Sequence, residues 1–235
     1  VRFIPVEYEQ SLFADKNIGD LITSSEGETP KVVEQYLQEL VNSLHQQSEQ
    51  EYRGHQFHVS LSNMNQANAF AAPGGYIVVT TGLLKSIESE NGLAMVLAHE
   101  IGHHYERHPL RGLGRGLVVT LFLSAISGFD VGGLADRFVE KTAFIGQLAY
   151  SRKQENEADK IAVKLLQSKY GHTSGASEFF SHIRSISSYN SEPPVFLSTH
   201  PSTQARLDYL EKIEHSSKGN KKELPSEIKK QLLLN

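Results

Sequence analysis

The chain has 235 residues, which is enough for one large domain with a sizeable core. Its composition is ordinary for a globular protein, with 39% hydrophobic and 21% charged residues. A net charge of −4, with no Lys/Arg-rich stripe, argues against a nucleic-acid partner. Because the sequence has no cysteine, disulfides and thiolate metal sites are excluded. A transition metal would have to be held by histidine and carboxylate side chains.

The first third of the chain predicts one long helix followed by a small sheet. Residues 1–29 carry turn signals and predict a loosely packed arm with some helix. After Pro30, apolar residues recur at helical spacing. Residues 55–62 alternate like a strand, and residues 65–84 predict two strands joined by a Pro-Gly-Gly turn, followed by a helix start.

From Glu88 onwards the chain is predicted to be mostly helical. The expected helices lie near 90–108, 115–127, 133–150, 153–169, 175–188, 202–215 and 226–234. The fold class is therefore α+β and mainly helical, with a small antiparallel sheet packed on a helical bundle. We divide the chain into an N-terminal arm (1–29), one domain (30–215) and a C-terminal solvated linker with a short helix (216–235).

An H-E-x-x-H motif lies inside the helix predicted over residues 90–108. His99 and His103 are four residues apart, so their side chains share one helix face. Two imidazoles in this arrangement can bind Zn²⁺, while Glu100 takes a proton from the water that the metal activates. The motif therefore predicts a metal site with its own general base.

A second histidine pair, His104 and His108, has the same spacing but no glutamate after its first member. His104 falls near the middle of the apolar helix face, and His108 precedes Pro109, where a helix must end or kink. We interpret His104 as a core histidine and His108 as a cation near the negative helix C-terminus, rather than as a second metal site.

A third ligand has to come from another helix, because a catalytic zinc usually has three protein ligands. Glu155 and Asp159 are four apart in the segment 151–166 and share a face. Glu155 could bind the metal while Asp159 accepts a hydrogen bond from a ligand histidine. An exposed acidic helix start explains the same spacing equally well, so spacing alone leaves both interpretations open.

Two ordered motifs give the sequence a family resemblance. H-E-x-x-H at 99–103, followed by S-R-x-x-E-x-x-A-D at 151–159, resembles the HtpX/BepA/LoiP-like zinc metallopeptidases, gluzincins related to the type I CAAX prenyl protease. The segments 68–84 and 198–207 resemble further parts of that family, so the likeness extends over about residues 30–215. The chain is most similar to the short, soluble LoiP-like form.

The resemblance implies a role for each matching residue. One Zn²⁺ per chain would be bound by His99, His103 and Glu155. Glu100 would be the general base, and Asp159 would support a ligand from outside the coordination shell. His200 and Arg206 would be catalytic residues that contact the substrate or the developing oxyanion.

The resemblance also implies how substrate is bound. The stretch Asn68, Ala69, Phe70 and Ala71 would be a strand edge that takes an extended peptide by β-augmentation. An ordinary sheet strand is compatible with the same sequence. The implied function is zinc-dependent cleavage of extended or misfolded proteins in envelope quality control. The implied location is the bacterial periplasm or the outer membrane, with the targeting segment absent from a chain that begins at Val1.

Two other functions fit parts of the sequence. If His200 reached the metal as a fourth ligand, the site would be closed, and the protein would be latent or a zinc-stabilised binder of unfolded segments. A di-iron carboxylate protein would need a second E-x-x-H motif, which the sequence lacks. The apolar run 117–126 is too short for a membrane span, and the region 112–134 could be core, a lid or a membrane contact.

Overall fold

The computed structural model describes residues 5–14, 29–114, 149–187, 195–201 and 204–234. In these ranges no helix combines the length and the hydropathy that crossing a membrane requires. The helix expected over 115–127 and almost all of the one expected over 133–150 lie outside the described residues, as does most of the region 112–134.

The described residues form a mainly helical α+β fold, as the sequence predicts. The helices are α1 (Val6–Ala14), α2 (Lys31–His45), α3 (Thr81–Lys85), α4 (Glu90–Tyr105), α5 (Arg152–Tyr170), α6 (Glu178–Ser187), α7 (Val195–Thr199), α8 (Gln204–Ser216) and α9 (Ser226–Leu234). The strands are β1 (His58–Ser62), β2 (Ala69–Ala72) and β3 (Tyr76–Thr80). Residues 108–114 are also helical.

The sheet has the order β1-β3-β2, and it is mixed rather than wholly antiparallel. Strands β2 and β3 form the expected antiparallel hairpin, whose turn places Gly74 and Gly75 at positive φ. Strands β1 and β3 run parallel, which the sequence did not predict. The parallel pair arises because β2 takes the sheet edge and β3 returns to the centre. A side chain at Gly75 would overlap the carbonyl oxygen of Gln56, so this close return requires glycine.

Helix α4 is the centre of the molecule. All of its residues are buried, as expected for a helix covered on every side. It packs against α5, β2 and α2. The side chain of Ser89 caps its N-terminus by accepting a hydrogen bond from the amide of Gly92. The motif carried by α4 is therefore held inside the core of the described residues.

Where the structure describes the N-terminal arm, helix α1 packs on the rest of the protein through two buried side chains. Phe13 of α1 is buried. Glu9 is also buried, and its carboxylate accepts hydrogen bonds from the Arg107 guanidinium at 2.9 Å and from the Gly74 amide at 3.2 Å. Helix α1 thus braces both the β2–β3 turn and the chain just after α4.

The C-terminal segment 216–225 is largely exposed, in agreement with a solvated linker, but it is anchored to the start of α4. The amide of Glu90 donates to the carbonyl of Lys222 at 2.7 Å, and the amide of Lys222 donates to the side chain of Asn91 at 2.7 Å. Leu224 is buried, and α9 places Ile228 in the core. The domain boundaries at residues 30 and 215 stay a prediction.

Candidate metal centre

The three predicted metal ligands meet in one buried cluster. The Nε2 atoms of His99 and His103 are 3.0 Å apart on one face of α4. Glu155 comes from the first turns of α5, and its Oε2 and Oε1 lie 3.4 Å from the Nε2 atoms of His99 and His103, respectively. None of the three side chains is exposed to solvent. A fourth possible ligand, His200, has a ring nitrogen within 4.8 Å of all of them.

The side chains present fit a divalent cation. Nδ1 of His99 lies 2.9 Å from Oδ1 of Asp159, so this nitrogen carries the proton and Nε2 presents a lone pair. Burial acts to lower the pKa of His99, but Asp159 and Glu155 outweigh it and raise the pKa to about 9. The cluster is therefore built to stabilise a positive charge beside His99 Nε2, which a bound metal ion would supply in place of a proton.

Glu100 lies beside the cluster but takes no part in it. Its carboxylate is completely buried, and neither oxygen makes a hydrogen bond of normal geometry with the described residues. Burial raises its pKa, while His200, His99 and, more weakly, the amide of Ala71 act in the opposite direction. A desolvated carboxylate with free lone pairs is well suited to accept a proton.

His200 follows α7 and points into the cluster. Its Nδ1 lies 3.2 Å from Oε1 of Glu155 and 3.3 Å from Nε2 of His99. Its Nε2 is 3.6 Å from Oε1 of Glu100. The ring stacks on Phe196, with 4.5 Å between the ring centroids. His200 therefore lies between the predicted ligands and the predicted base.

Arg206 is paired with the carboxylates behind the cluster. From α8, its Nε and Nη2 donate to the two oxygens of Asp159 at 2.7 and 2.8 Å, and its Nη1 donates to Glu155. Burial acts to raise the pKa of Asp159, but hydrogen bonds from His99 and Arg206 outweigh it and lower that pKa. Arg206 as a whole is only 3% exposed, so the geometry favours support of Asp159 and Glu155 over the substrate contact predicted from the sequence.

The second histidine pair is divided by a turn. Helix α4 ends at Tyr105, Arg107 adopts a left-handed φ of 55°, and the next helical segment begins at His108. His104 is the expected core histidine, with Nε2 2.9 Å from the carbonyl of Tyr76. His108, predicted to be a cation at the helix end, is instead fully buried. Burial is the largest cause that lowers its pKa, to about 4.

Two residues beside His103 were missed by the sequence interpretation. Nδ1 of His108 lies 2.9 Å from Nδ1 of His103. The ring of Tyr150 stacks on His103, with 3.8 Å between the centroids. The spacing of five residues between His103 and His108 was visible in the sequence, but it places them on one face only because of the turn at Arg107. Tyr150 had no signal, since its position depends on a hydrogen bond to the distant carbonyl of Thr199.

The predicted substrate strand is an edge of the sheet. The amide of Thr80 donates to the carbonyl of Asn68 at 3.0 Å, so the backbone of Asn68 faces β3. Because pairing alternates in an antiparallel ladder, Phe70 also faces β3. The backbone groups of Ala69 and Ala71 therefore point away from the sheet, and those of Ala71 lie on the side of Glu100.

The α+β fold and the buried His-His-Glu cluster fit a metalloprotease of the kind that carries two histidine ligands and its base on one helix and a third ligand on another. Residues 31–214 match the family model described as "Peptidase family M48", and the chain belongs to that family.

Relatives with assigned names agree with this class. The chain is similar to the mitochondrial metalloendopeptidase OMA1 of Schizosaccharomyces pombe, with 33% identity over 146 residues, 61% of this chain and 42% of that protein. It is 31% identical over 160 residues to the beta-barrel assembly-enhancing protease of Escherichia coli, covering 64% of this chain and 33% of that protein. For the human metalloendopeptidase OMA1 the identity is 31% over 157 residues, with 62% and 30% covered. The chain thus covers less than half the length of each of these relatives.

Proposed function

We propose that this chain is a zinc-dependent endopeptidase that cleaves extended or misfolded protein segments. The observation that carries the proposal is the buried cluster of His99, His103 and Glu155, beside which the buried carboxylate of Glu100 makes no hydrogen bond of normal geometry with the described residues. The alternative explanation for Glu155, an exposed acidic helix start, does not account for a side chain that is fully buried against two imidazoles.

His99, His103 and Glu155 would hold one zinc ion per chain. Two imidazoles and one carboxylate are a ligand set typical of catalytic zinc, and hard cations such as Mg²⁺ or Ca²⁺ prefer all-oxygen sites. When bound, zinc supplies Lewis acidity toward a water molecule and toward the scissile carbonyl group. Asp159 keeps the Nδ1 proton of His99 in place, so that Nε2 remains free for the metal.

Glu100 would be the general base and then the general acid. Its free oxygens accept a proton from the attacking water, and the protonated carboxyl group then donates that proton to the leaving amine. Burial raises the pKa of Glu100, which makes its carboxylate a stronger base toward the attacking water. Arg206 acts indirectly, through the carboxylates of Asp159 and Glu155.

The substrate would bind as an added strand along β2. Among the predicted substrate-binding residues, Ala69 and Ala71 offer outward backbone groups, and Ala71 lies next to Glu100. Asn68 and Phe70 use their backbone groups within the sheet, although the Oδ1 of Asn68 is buried without a hydrogen-bond partner among the described residues. Recognition through backbone groups would make the enzyme tolerant of many side chains and selective for unfolded segments.

The cellular role is proposed by analogy with the named relatives. One of them is a beta-barrel assembly-enhancing protease, which supports a role in envelope protein quality control in the periplasm or at the outer membrane. We assign the activity to residues 30–215. The proposed substrates are peptide segments of proteins, and we propose that the enzyme acts close to a membrane and has no nucleic-acid partner.

A second candidate function is a latent enzyme or a non-catalytic binder of unfolded segments. It is favoured by one observation: Nδ1 of His200 lies close enough to His99 and Glu155 to complete a four-ligand set. A closed set of four protein ligands is typical of structural zinc, and it would leave no position for water. In this state the strand edge at β2 could still hold a peptide without cleaving it.

Metal analysis combined with casein cleavage tests the proposal. We expect one zinc per chain, loss of cleavage after chelation, and recovery when one equivalent of zinc is returned. Absence of zinc, or cleavage that survives full metal removal, would contradict the endopeptidase. The variant His200→Ala separates the two states: a higher rate identifies the latent form, and a lower rate with zinc retained identifies His200 as a catalytic residue.

A further inference from the structure

His108 occupies a buried position that the proposed chemistry does not use. Its side chain has no solvent exposure, and it begins the helical segment 108–114 immediately after the left-handed turn at Arg107. That turn folds the chain back toward α4. The guanidinium of Arg107 is held by the buried carboxylate of Glu9 at 2.9 Å, so the position of His108 is fixed by a contact between distant parts of the chain.

The two ring nitrogens of His108 meet different partners. Nδ1 lies 2.9 Å from Nδ1 of His103, and Nε2 lies 3.3 Å from Oε2 of Glu157 on α5. Glu157 is about one-third exposed and also faces Lys153, whose Nζ is 3.6 Å from its other oxygen. His108 therefore connects a surface carboxylate to the far side of a predicted metal ligand.

The position of each proton in this chain follows from the chemistry of imidazole. If Nε2 of His103 binds the metal, its lone pair is used there and the ring proton must be on Nδ1. Nδ1 of His108 must then be an acceptor, which places the His108 proton on Nε2, where it faces the carboxylate of Glu157. One arrangement of protons fits all three groups: His108 accepts from Nδ1 of His103, and its own Nε2 proton faces the carboxylate of Glu157 at 3.3 Å.

We propose that His108 is a positioning residue for the metal site, which holds His103 in the tautomer and orientation that present Nε2 to the ion, with Glu157 fixing the tautomer of His108. This inference rests on the proposed function, because it requires His103 to be a ligand. In this role His108 supports His103 as Asp159 supports His99. Nδ1 of His99 lies 2.9 Å from the Asp159 carboxylate.

The same side chains could instead be the start of a second metal site, since Glu106, His108 and Glu157 have ligand atoms within 4.8 Å of one another. Two observations favour the positioning role. Arg111 lies 4.0 Å from Glu106 and Lys153 lies near Glu157, so cations already face both carboxylates. If metals bound Nε2 of both His103 and His108, each neutral ring would carry its proton on Nδ1, and the two N–H groups would face each other. Sharing a single proton between them would require one ring to become an imidazolate.

The test compares two substitutions of nearly equal shape. In His108→Asn the side-chain oxygen can take the place of Nδ1 as an acceptor, whereas His108→Leu has no acceptor. Zinc affinity of the metal-free protein, measured by competition with a chromophoric chelator, should fall about 10–100-fold in His108→Leu and stay near the wild-type value in His108→Asn. His104→Gln is the matched control, because His104 bonds to Tyr76 and does not touch the cluster; its zinc affinity should not change.

A second pair of variants keeps the proposal testable if His108→Leu does not fold. Glu157 is partly exposed, so both of its substitutions should fold. Glu157→Gln retains an acceptor for His108 and should bind zinc like the wild type, whereas Glu157→Ala should bind it more weakly. Both variants should show unchanged thermal unfolding of the metal-free protein, which separates positioning from a general loss of structure.

The outcomes distinguish this inference from the proposed function. If the wild type binds no zinc, the proposed function fails. If the wild type binds one zinc and the asparagine and leucine variants bind it equally, whether as tightly as the wild type or more weakly, the positioning role alone is overturned. A wild-type content of two zinc ions that falls to one in His108→Leu would assign His108 to a second metal site and would likewise overturn it.

Discussion

Gly102 of α4 lies directly against the backbone of Ala158 of α5. A Cβ atom added at Gly102 would be 2.9 Å from the Cα atom and 2.9 Å from the carbonyl oxygen of Ala158. The two helices make the most extensive contact between elements in the described structure. This close approach brings Glu155, one helical turn before Asp159, to the imidazoles of α4. The proposed metal site therefore depends on a contact that only glycine permits.

Gly102→Ala should separate the two helices. Alanine favours a helix by about 1 kcal/mol over glycine, but the new methyl group would meet backbone atoms that cannot rotate away. We expect the free energy of unfolding to fall by about 1–3 kcal/mol and zinc affinity to weaken as Glu155 moves away from His99. Denaturant unfolding and chelator competition measure the two effects.

A double variant tests whether the clash with the Ala158 backbone causes the loss of stability. Because the clash involves the Cα atom and the carbonyl oxygen of Ala158, removing the Ala158 side chain should not help, and Gly102→Ala with Ala158→Gly should remain destabilised. A Gly102→Ala protein that is more stable than the wild type and binds zinc normally would contradict the importance of this contact.

Removing the charge of Arg206 should destabilise the metal-free protein. Arg206→Met leaves the buried carboxylates of Asp159 and Glu155 without their cation, and breaking a buried pair in this way costs about 3–5 kcal/mol. Zinc should restore part of the loss, since it binds the folded state and neutralises Glu155. Unfolding of the metal-free and zinc-loaded forms tests this expectation.

The result also decides between two roles for Arg206. If it contacted the oxyanion, as the sequence resemblance implies, Arg206→Met would lower turnover and leave stability unchanged. Addition of Asp159→Asn to the Arg206→Met variant removes one of the unpaired charges, and we expect it to recover part of the lost stability. No recovery would mean that the two residues are not coupled as their hydrogen bonds indicate.

His104 should make the fold sensitive to acid. Burial lowers its pKa to about 4 in the folded protein, from an ordinary value of 6.5, so the unfolded chain binds a proton between these pH values that the folded protein does not. Stability from this group is therefore complete above pH 6.5 and is lost as the pH falls toward 4. One such group contributes a slope of about 1.4 kcal/mol per pH unit, or about 3 kcal/mol in total.

The comparison variant is His104→Gln, whose side-chain amide can still donate to the carbonyl of Tyr76. Denaturant unfolding of the metal-free protein at pH 7, 6 and 5 should show a smaller pH slope in this variant, by about one proton. All other histidines titrate equally in both proteins, so their effects cancel. Equal slopes would show that His104 is not buried in its neutral form.

Much of the site was predictable because helical geometry relates residues that are close in sequence. The spacing of four places His99 and His103 on one face, and it does the same for Glu155 and Asp159. Which acidic residue faces the histidines was not fixed by spacing, because a charged helix start has the same pattern. The family resemblance indicated Glu155, and the structure places that residue beside both imidazoles.

Features that depend on distant contacts were not predictable in the same way. The role of His108 depends on the left-handed turn at Arg107, and that turn is braced by Glu9, which lies 98 positions earlier in the chain. No local pattern contains such a contact. The parallel pairing of β1 with β3 has the same origin, since alternation within a strand reveals its buried face but not its neighbour.

Glu100→Gln tests the central claim most directly. The amide has the shape of the carboxylate, so it should leave the ligand cluster intact, but it cannot accept the proton of the attacking water. We predict one zinc per chain, bound with wild-type affinity, together with a fall in kcat for casein-derived peptide cleavage of about 10²–10⁴-fold. Zinc-loaded Glu100→Gln protein that cleaves at the wild-type rate would contradict the assignment of Glu100 as the general base.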